Sequence, residues 1–84
     1  MNLAVKAHKK GTQLEPQNAG AWNSYGETLL AAGQPRDAWT AFVKASELDP
    51  LLPTPLDHLS DLALKNGDAE GSKEYRHKAS QLRH

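Results

Sequence analysis

Apolar side chains recur every three or four residues along most of this chain, which is the spacing of helices that each bury one face. The most complete example runs from residue 19 to residue 50. Its apolar positions are Trp22, Tyr25, Leu29, Ala38, Phe42 and Ala45. Gly33 and Pro35 interrupt the pattern between its two halves, and both residue types break helices. The stretch therefore predicts two helices joined by a tight turn.

The small residues of this stretch indicate how the two helices pack. Gly26 and Ala38 lie where antiparallel helices would face each other, and a larger side chain at either position would hold them apart. Trp22 and Phe42 can fill the space beside that contact. We expect both rings in the core, and we expect Trp22→Ala to lower the free energy of unfolding by about 3–5 kcal/mol.

The sequence repeats at an interval of 34 positions. Gly33 returns as Gly67, and the segment Leu14-Glu15-Pro16 returns as Leu48-Asp49-Pro50. A helical hairpin that recurs at this interval is typical of proteins built from stacked hairpins.

The chain is expected to form five helices, at residues 2–14, 19–32, 35–48, 54–66 and 69–83. Residues that favour helix starts lie at or next to these boundaries. They are Asn2, Asn18, Pro35 and Asp68, with a capping-box pattern from Thr54 to Asp57. Asn66 and Gly67 are expected to end the fourth helix.

The first and last helices have weaker apolar stripes. The residues expected to face inward are Leu3, Ala7 and Leu14 in the first helix, and Tyr75, Ala79 and Leu82 in the last. His8 stands one interval before Phe42, so we expect it to be partly buried, and Gly11 is expected to permit close packing. Trp39 lies off the stripe of its helix, which leaves open packing on the neighbouring repeat or contact with a partner.

The complete hairpin resembles a tetratricopeptide repeat (TPR). The positions that match the family pattern at its spacings are Trp22, Gly26, Gly33, Ala38, Phe42, Ala45 and Pro50. Tyr25 and Leu29 stand where the family more often has Leu and Tyr, which keeps both positions large and apolar. The resemblance implies an all-α fold, an α-α superhelix (TPR solenoid) of about two and a half repeats with five antiparallel helices. It implies a single domain over residues 1–84, with a half repeat at 1–16, a complete repeat at 19–50 and a C-terminal repeat with a capping helix at 53–84.

The composition excludes several classes of function. Ten acidic residues balance ten basic ones, so no overall charge favours nucleic acid or an acidic membrane as a partner. The absence of cysteine rules out disulfides, thiolate metal sites and thiol nucleophiles. No apolar run is long enough for a membrane span, and the amino-terminal residues lack the order of a signal peptide. We therefore expect a cytoplasmic protein.

Residues with catalytic potential do not form a recognisable set. The serines lack the context of a nucleophile elbow, and His8, His58, His77 and His84 are scattered along the chain. His58 and Asp61 could share a metal ion, but a solvated surface pair is the expected arrangement. We expect no enzyme activity, no cofactor and no metal site.

The resemblance also implies a concave groove, lined by the first helix of each repeat, that binds extended peptides or partner helices. The residues at groove positions are Asn23, Glu27, Leu30, Asp57, His58, Asp61, Leu64 and Lys65. Three of them are acidic and only Lys65 is basic, so the groove would repel an anionic partner and accept a basic or neutral one. A solvated helix face that binds nothing is the alternative interpretation of these carboxylates.

Two functions from different classes follow from these observations. The first is a non-catalytic protein–protein interaction module that binds a peptide or partner helix in the groove. The second is a structural C-terminal repeat segment of a longer scaffold, assembly factor or enzyme. The first helix has no hairpin partner of its own, so its apolar residues predict a homodimer formed through that helix.

Overall fold

The computed structural model describes residues 3–83, which form five α-helices joined by short turns. The helices are α1 (Leu3–Leu14), α2 (Ala19–Ala31), α3 (Pro35–Leu48), α4 (Pro53–Lys65) and α5 (Ala69–Leu82). Across residues 3–83 there is no β-strand, and no helix there is both long and apolar enough to cross a membrane. The predicted all-α class and the five helices are thus confirmed for this part of the chain. The cap expected at Asn2 lies outside the described residues.

Helices that are adjacent in the sequence pack on each other, most extensively within the pairs α2–α3 and α4–α5. Side chains also join alternate helices. Glu27 of α2 contacts His58 of α4, and Trp39 of α3 contacts Tyr75 of α5. Single side-chain contacts therefore link α2 to α4 and α3 to α5, in a body that measures 34 × 25 × 15 Å.

Two turns one interval apart have the same geometry. Gly33 and Gly67 adopt the left-handed conformation, with φ of 77° and 83°. After α2, Gln34 N–H donates to the carbonyl of Leu29 at 2.9 Å, and after α4, Asp68 N–H donates to the carbonyl of Ala63 at 2.8 Å. A hydrogen bond from the second residue after the helix cap to the last turn of the helix defines a Schellman motif. The residue between them, here Gly33 or Gly67, must tolerate positive φ. The repetition seen in the sequence is therefore present in the backbone.

The helix starts agree with the sequence at α2, α3 and α5 but not at α4. The side chains of Asn18 and Asp68 accept bonds from Ala21 N–H at 3.2 Å and Gly71 N–H at 2.9 Å. Pro35 opens α3, as predicted. The capping box expected at Thr54 is wrong, because α4 begins one residue earlier, at Pro53, without a side-chain cap. Proline fixes φ near the helical value and lacks the N–H that a cap would satisfy.

The core lies between the two complete hairpins, α2–α3 and α4–α5. Its buried side chains are Leu29, Ala38, Ala41, Phe42, Leu56, Leu59, Leu62 and Ala79. A Cβ atom on Gly26 would lie 2.5 Å from Cε1 of Phe42, so the close approach predicted for Gly26 is confirmed. Glycine is required there because the Phe42 ring fills the space that a side chain would need.

Trp22 is only half-buried, contrary to the expectation that it lies in the core. Its ring packs against the core cluster and against Tyr25, with ring centroids 6.2 Å apart. Its Nε1–H donates to the carbonyl of Pro16 at 3.0 Å. The indole therefore fastens the start of α2 to the preceding turn, which keeps its polar edge near solvent.

Helix α1 is rotated relative to the predicted stripe. Leu3 and Leu14 are 80% and 72% exposed. The inward residues are Val5, which packs against the core, and Thr12, which is buried and donates its hydroxyl to the carbonyl of Lys9 at 2.7 Å. Of the predicted stripe, Ala7 is exposed as well. The stripe of Leu3, Ala7 and Leu14 is therefore wrong.

Two single-residue predictions for α1 have opposite outcomes. His8 is half-buried, as predicted. Gly11 has open space where a Cβ would lie, so the close packing expected there is wrong.

The last helix follows its predicted stripe. Ala79 is fully buried, and Tyr75 and Leu82 pack against the core. Trp39 meets Tyr75 edge to face, with centroids 5.8 Å apart and planes at 79°. Trp39 thus packs on the neighbouring hairpin, which was one of its two expected roles.

Candidate functional site

The predicted groove residues lie on α2 and α4, and we call the surface they form the α2–α4 face. Its members are Asn23, Glu27, Leu30, Asp57, His58, Asp61, Leu64 and Lys65. Nε2 of His58 lies 3.1 Å from Oε2 of Glu27, so a direct polar contact joins the two helices across the face. The structure thus brings at least this pair together from residues far apart in the sequence.

The buried ring of Phe42 fixes the position of His58. Its imidazole ring stacks on the ring of Phe42, with centroids 4.5 Å apart and planes inclined by 13°. Phe42 is fully buried and cannot move aside without opening a cavity. The stack therefore fixes the plane of the imidazole and directs Nε2 at Glu27.

Asp57 is paired with Arg83, a residue that the sequence analysis did not place at this face. Nη1 of Arg83 donates to Oδ1 of Asp57 at 3.1 Å, and Nη2 donates to Oδ2. The hydrogen bond to Asp57 and then its negative charge raise the pKa of Arg83 above its ordinary value, so the guanidinium stays charged. The hairpin explains the pair, because the end of α5 returns to the start of α4. That topology was the one signal in the sequence that could have found it.

Asp61 and Lys65 are the unpaired charges of the face. Both are exposed, and neither side chain has a hydrogen bond or ion pair to any residue between 3 and 83. Of the three carboxylates expected at the face, Glu27 contacts His58 and Asp57 contacts Arg83. Asp61 is the acidic group of the face that is free to meet a partner.

The apolar members of the face differ in accessibility. Leu64 is 54% exposed, whereas Leu30 is half-buried and packs against the core cluster. Leu64 lies one helical turn beyond Asp61, on the same side of α4. An apolar contact with a partner would therefore be made chiefly by Leu64.

Asn23 is an unsatisfied polar group within α2. Its Oδ1 is buried and accepts no hydrogen bond from the described residues. Leaving a buried acceptor unpaired costs about 1–3 kcal/mol. Asn23 therefore lowers the stability of the folded protein.

Side chains with catalytic potential either have a structural role or lie away from other such side chains. Ser60 donates its hydroxyl to the carbonyl of Ser72 at 2.9 Å, and the two hydroxyl oxygens are 3.0 Å apart in the interior. This pair joins α4 to α5 and has no base beside it in the described hydrogen bonds. Within residues 3–83, His, Asp and Glu do not form a group of three or more that could hold a metal ion.

Two cavities among residues 3–83 do not coincide with the α2–α4 face. A cavity of about 730 Å³ is lined by residues of α3, α4 and the turn between α4 and α5, namely Pro35, Arg36, Trp39, Leu62, Ala63, Asn66 and Asp68. A second, of about 410 Å³, is lined by Ser46, Pro50, Leu56, Tyr75, Lys78, Gln81 and Leu82. We place the candidate site at the face all the same, because its exposed polar and apolar groups suit an extended partner, and such a partner needs no enclosed pocket.

No protein-family model matches this chain, and no curated protein matches it. The chemistry of the α2–α4 face therefore follows from its own geometry alone. It offers one free carboxylate, one exposed leucine and two carboxylates held in polar pairs.

Proposed function

We propose that this chain is a helical-repeat module of the TPR type that binds a basic or neutral peptide, or a partner helix, along the α2–α4 face without catalysing a reaction. The observation that carries the proposal is the stripe on α4 formed by Asp57, Asp61 and Leu64. These residues follow helical spacing, and they combine two carboxylates with an apolar side chain that is 54% exposed.

The charges of the face favour a cationic partner over an anionic one, but only mildly. Glu27 and Asp57 already meet His58 and Arg83, so Asp61 is the one unpaired carboxylate of the face, and the unpaired Lys65 partly offsets its charge. An exposed ion pair contributes about 0–1 kcal/mol. The affinity would therefore depend chiefly on Leu64, while the charge of Asp61 would set the rate of association and its dependence on salt.

A second candidate is the structural one, in which the repeats serve as a segment of a larger assembly. Leu3 and Leu14 favour it, because they lie three helical turns apart on the outer side of α1 and are largely exposed. A second copy of the chain could cover that side in a twofold dimer, as predicted from the sequence. Sedimentation of the unmodified chain and of Leu3→Glu/Leu14→Glu tests this, and a monomer mass for the unmodified chain at millimolar concentration would dispose of the dimer.

The binding function is tested with defined peptides. The probes are ten-residue peptides of Ser and Gly that carry one Leu and one Arg at separations of one to six residues, with Glu in place of Arg as the anionic series. Amide signals of the labelled protein report binding by NMR. We expect the Arg series to shift signals of α2 and α4 and the Glu series to shift none.

Variants then locate the site. Asp61→Asn should weaken binding of the Arg series and flatten its salt dependence, and Leu64→Ala should weaken it more. Asp37→Asn, an exposed carboxylate on α3, is the matched control and should change neither. If the peptides bind equally well to all of these variants, the site lies elsewhere on the molecule.

A further inference from the structure

We propose that Asp57 is an arginine subsite of the α2–α4 face, occupied in the free protein by the chain's own Arg83 and taken over by an arginine of the partner. This inference rests on the proposed function and adds to it a specific residue of the partner. Arg83 then occupies, in the free protein, the place of the partner's arginine, and the two arginines compete for Asp57.

The geometry of the pair identifies the ligand as a guanidinium. Two nitrogens of Arg83 donate to the two oxygens of Asp57 in parallel. This fork-to-fork arrangement matches the spacing of a carboxylate, and a lysine ammonium cannot reproduce it. The carboxylate of Glu27, on α2, instead contacts His58.

Arg83 can leave Asp57 without disturbing the core. It caps the end of α5, and its side chain is 53% exposed, while that of Asp57 is 38% exposed. Ion pairs with this much exposure are weak and exchange readily. Leu82, the neighbouring residue, packs against the core and would hold the helix in place after the guanidinium departs.

The positions along α4 set the spacing of the partner's residues. Leu64 lies seven residues after Asp57, which is about 10 Å along the helix axis. A polyproline II chain advances about 9 Å over three residues and returns its side chains to the same side. The partner should therefore carry an arginine and a large apolar residue three positions apart, with Asp61 lying between the two contacts.

Matched peptides test the subsite. The probe is the ten-residue peptide with Arg and Leu three positions apart, and its controls replace Arg by citrulline, which is nearly isosteric and uncharged, or by Lys. Dissociation constants are measured by NMR titration of the unmodified protein, Arg83→Gln, and Arg76→Gln. Arg76 is an exposed arginine of α5 without an ion pair to the described residues, so its variant removes the same charge from a residue that does not pair with Asp57.

We expect Arg83→Gln to tighten binding of the Arg peptide by about two- to fivefold, the range for one exposed ion pair. The citrulline peptide should be unaffected and the Lys peptide should gain less, whereas Arg76→Gln should change none of the three. Asp57→Asn should remove the preference for Arg over citrulline, both alone and when combined with Arg83→Gln. The amide spectrum of each variant shows whether it is folded.

The outcomes separate this inference from the proposed function. If peptides bind but Arg83→Gln leaves the Arg peptide unchanged, or tightens Lys and Arg peptides alike, the subsite is wrong and the binding face stands. If no peptide of any series binds, the proposed function fails and the subsite fails with it. An independent readout is the Nε–H signal of Arg83, which should move when the Arg peptide is added and stay in place with the citrulline peptide. An Arg83 signal that stays fixed while the Arg peptide binds would overturn the competition.

Discussion

The imidazole of His58 lies nearly parallel to the buried ring of Phe42, with the two centroids 4.5 Å apart. Because Nε2 of the same imidazole contacts Glu27, one side chain of α4 connects to both α3 and α2. His58 is therefore a structural link between the two hairpins as well as a member of the α2–α4 face.

The stack should contribute more to stability than the contact with Glu27. We expect His58→Ala to lower the free energy of unfolding by about 1–2 kcal/mol, since stacked aromatic pairs contribute about 0.5–1.5 kcal/mol beyond the area they bury. Glu27→Gln should cost less than about 1 kcal/mol, because the carboxylate is half exposed. Urea denaturation gives both values, and a larger loss for Glu27→Gln would show that the polar contact dominates.

Two glycine-to-alanine substitutions should have opposite signs. At Gly26 the new methyl group would meet the Phe42 ring at 2.5 Å, and overpacking of this kind costs about 1–3 kcal/mol. At Gly11 nothing lies within 4 Å of the new methyl group, so the gain in helix propensity should stabilise the protein by about 0.5–1 kcal/mol. Thermal melting followed by circular dichroism measures both. Equal effects at the two positions would contradict the close approach at Gly26.

Two asparagines of the α2 region make a second contrasting pair. Asn23→Ala should stabilise the protein, by about 1 kcal/mol, because it removes a buried acceptor that has no partner and adds helix propensity. Asn18→Ala should destabilise it by about 1 kcal/mol, because Asn18 caps α2 through Ala21. The measurement is the urea midpoint at constant slope. A loss of stability with Asn23→Ala would mean that its amide has a structural role.

The two large aromatic residues of the complete hairpin should differ in importance. Phe42→Ala should cost about 3–5 kcal/mol, a large part of the stability of a small domain, and Phe42→Leu is the milder variant if the first does not fold. Trp22→Ala should cost less than Phe42→Ala, because Trp22 is only half-buried. Finding Trp22→Ala the more damaging of the two would show that the tie to Pro16 holds the hairpin together.

Helix positions were predictable from the sequence because their signals are local. Gly33 and Gly67 mark the turns with a backbone conformation that other residues rarely adopt, and Pro35 starts the next helix with a fixed φ. Each signal acts within a few residues of itself. The ends of the described helices could therefore be found to within one residue without knowledge of the rest of the molecule.

The rotation of α1 and the pairing of Arg83 depend on contacts distant in the sequence. Helix α1 packs chiefly against α2, and its inward residues are Val5 and Thr12, although Leu3 and Leu14 are the larger apolar residues. Periodicity weighs side chains by their hydrophobicity and contains no information on which side has a neighbour. The pair of Asp57 and Arg83 joins the start of α4 to the residue after α5, so the sequence could indicate it only through the predicted antiparallel hairpin.

The packing of each helix on the next one in the sequence also bears on how the chain folds. Most contacts between elements form without closing a long loop, and chains with such local contacts fold quickly, on the microsecond to millisecond scale. Structure can start in either complete hairpin and spread to its neighbour. Helix α1, joined chiefly to α2, should be the first to open, and its amide protons should exchange with solvent before those of α3 and α4.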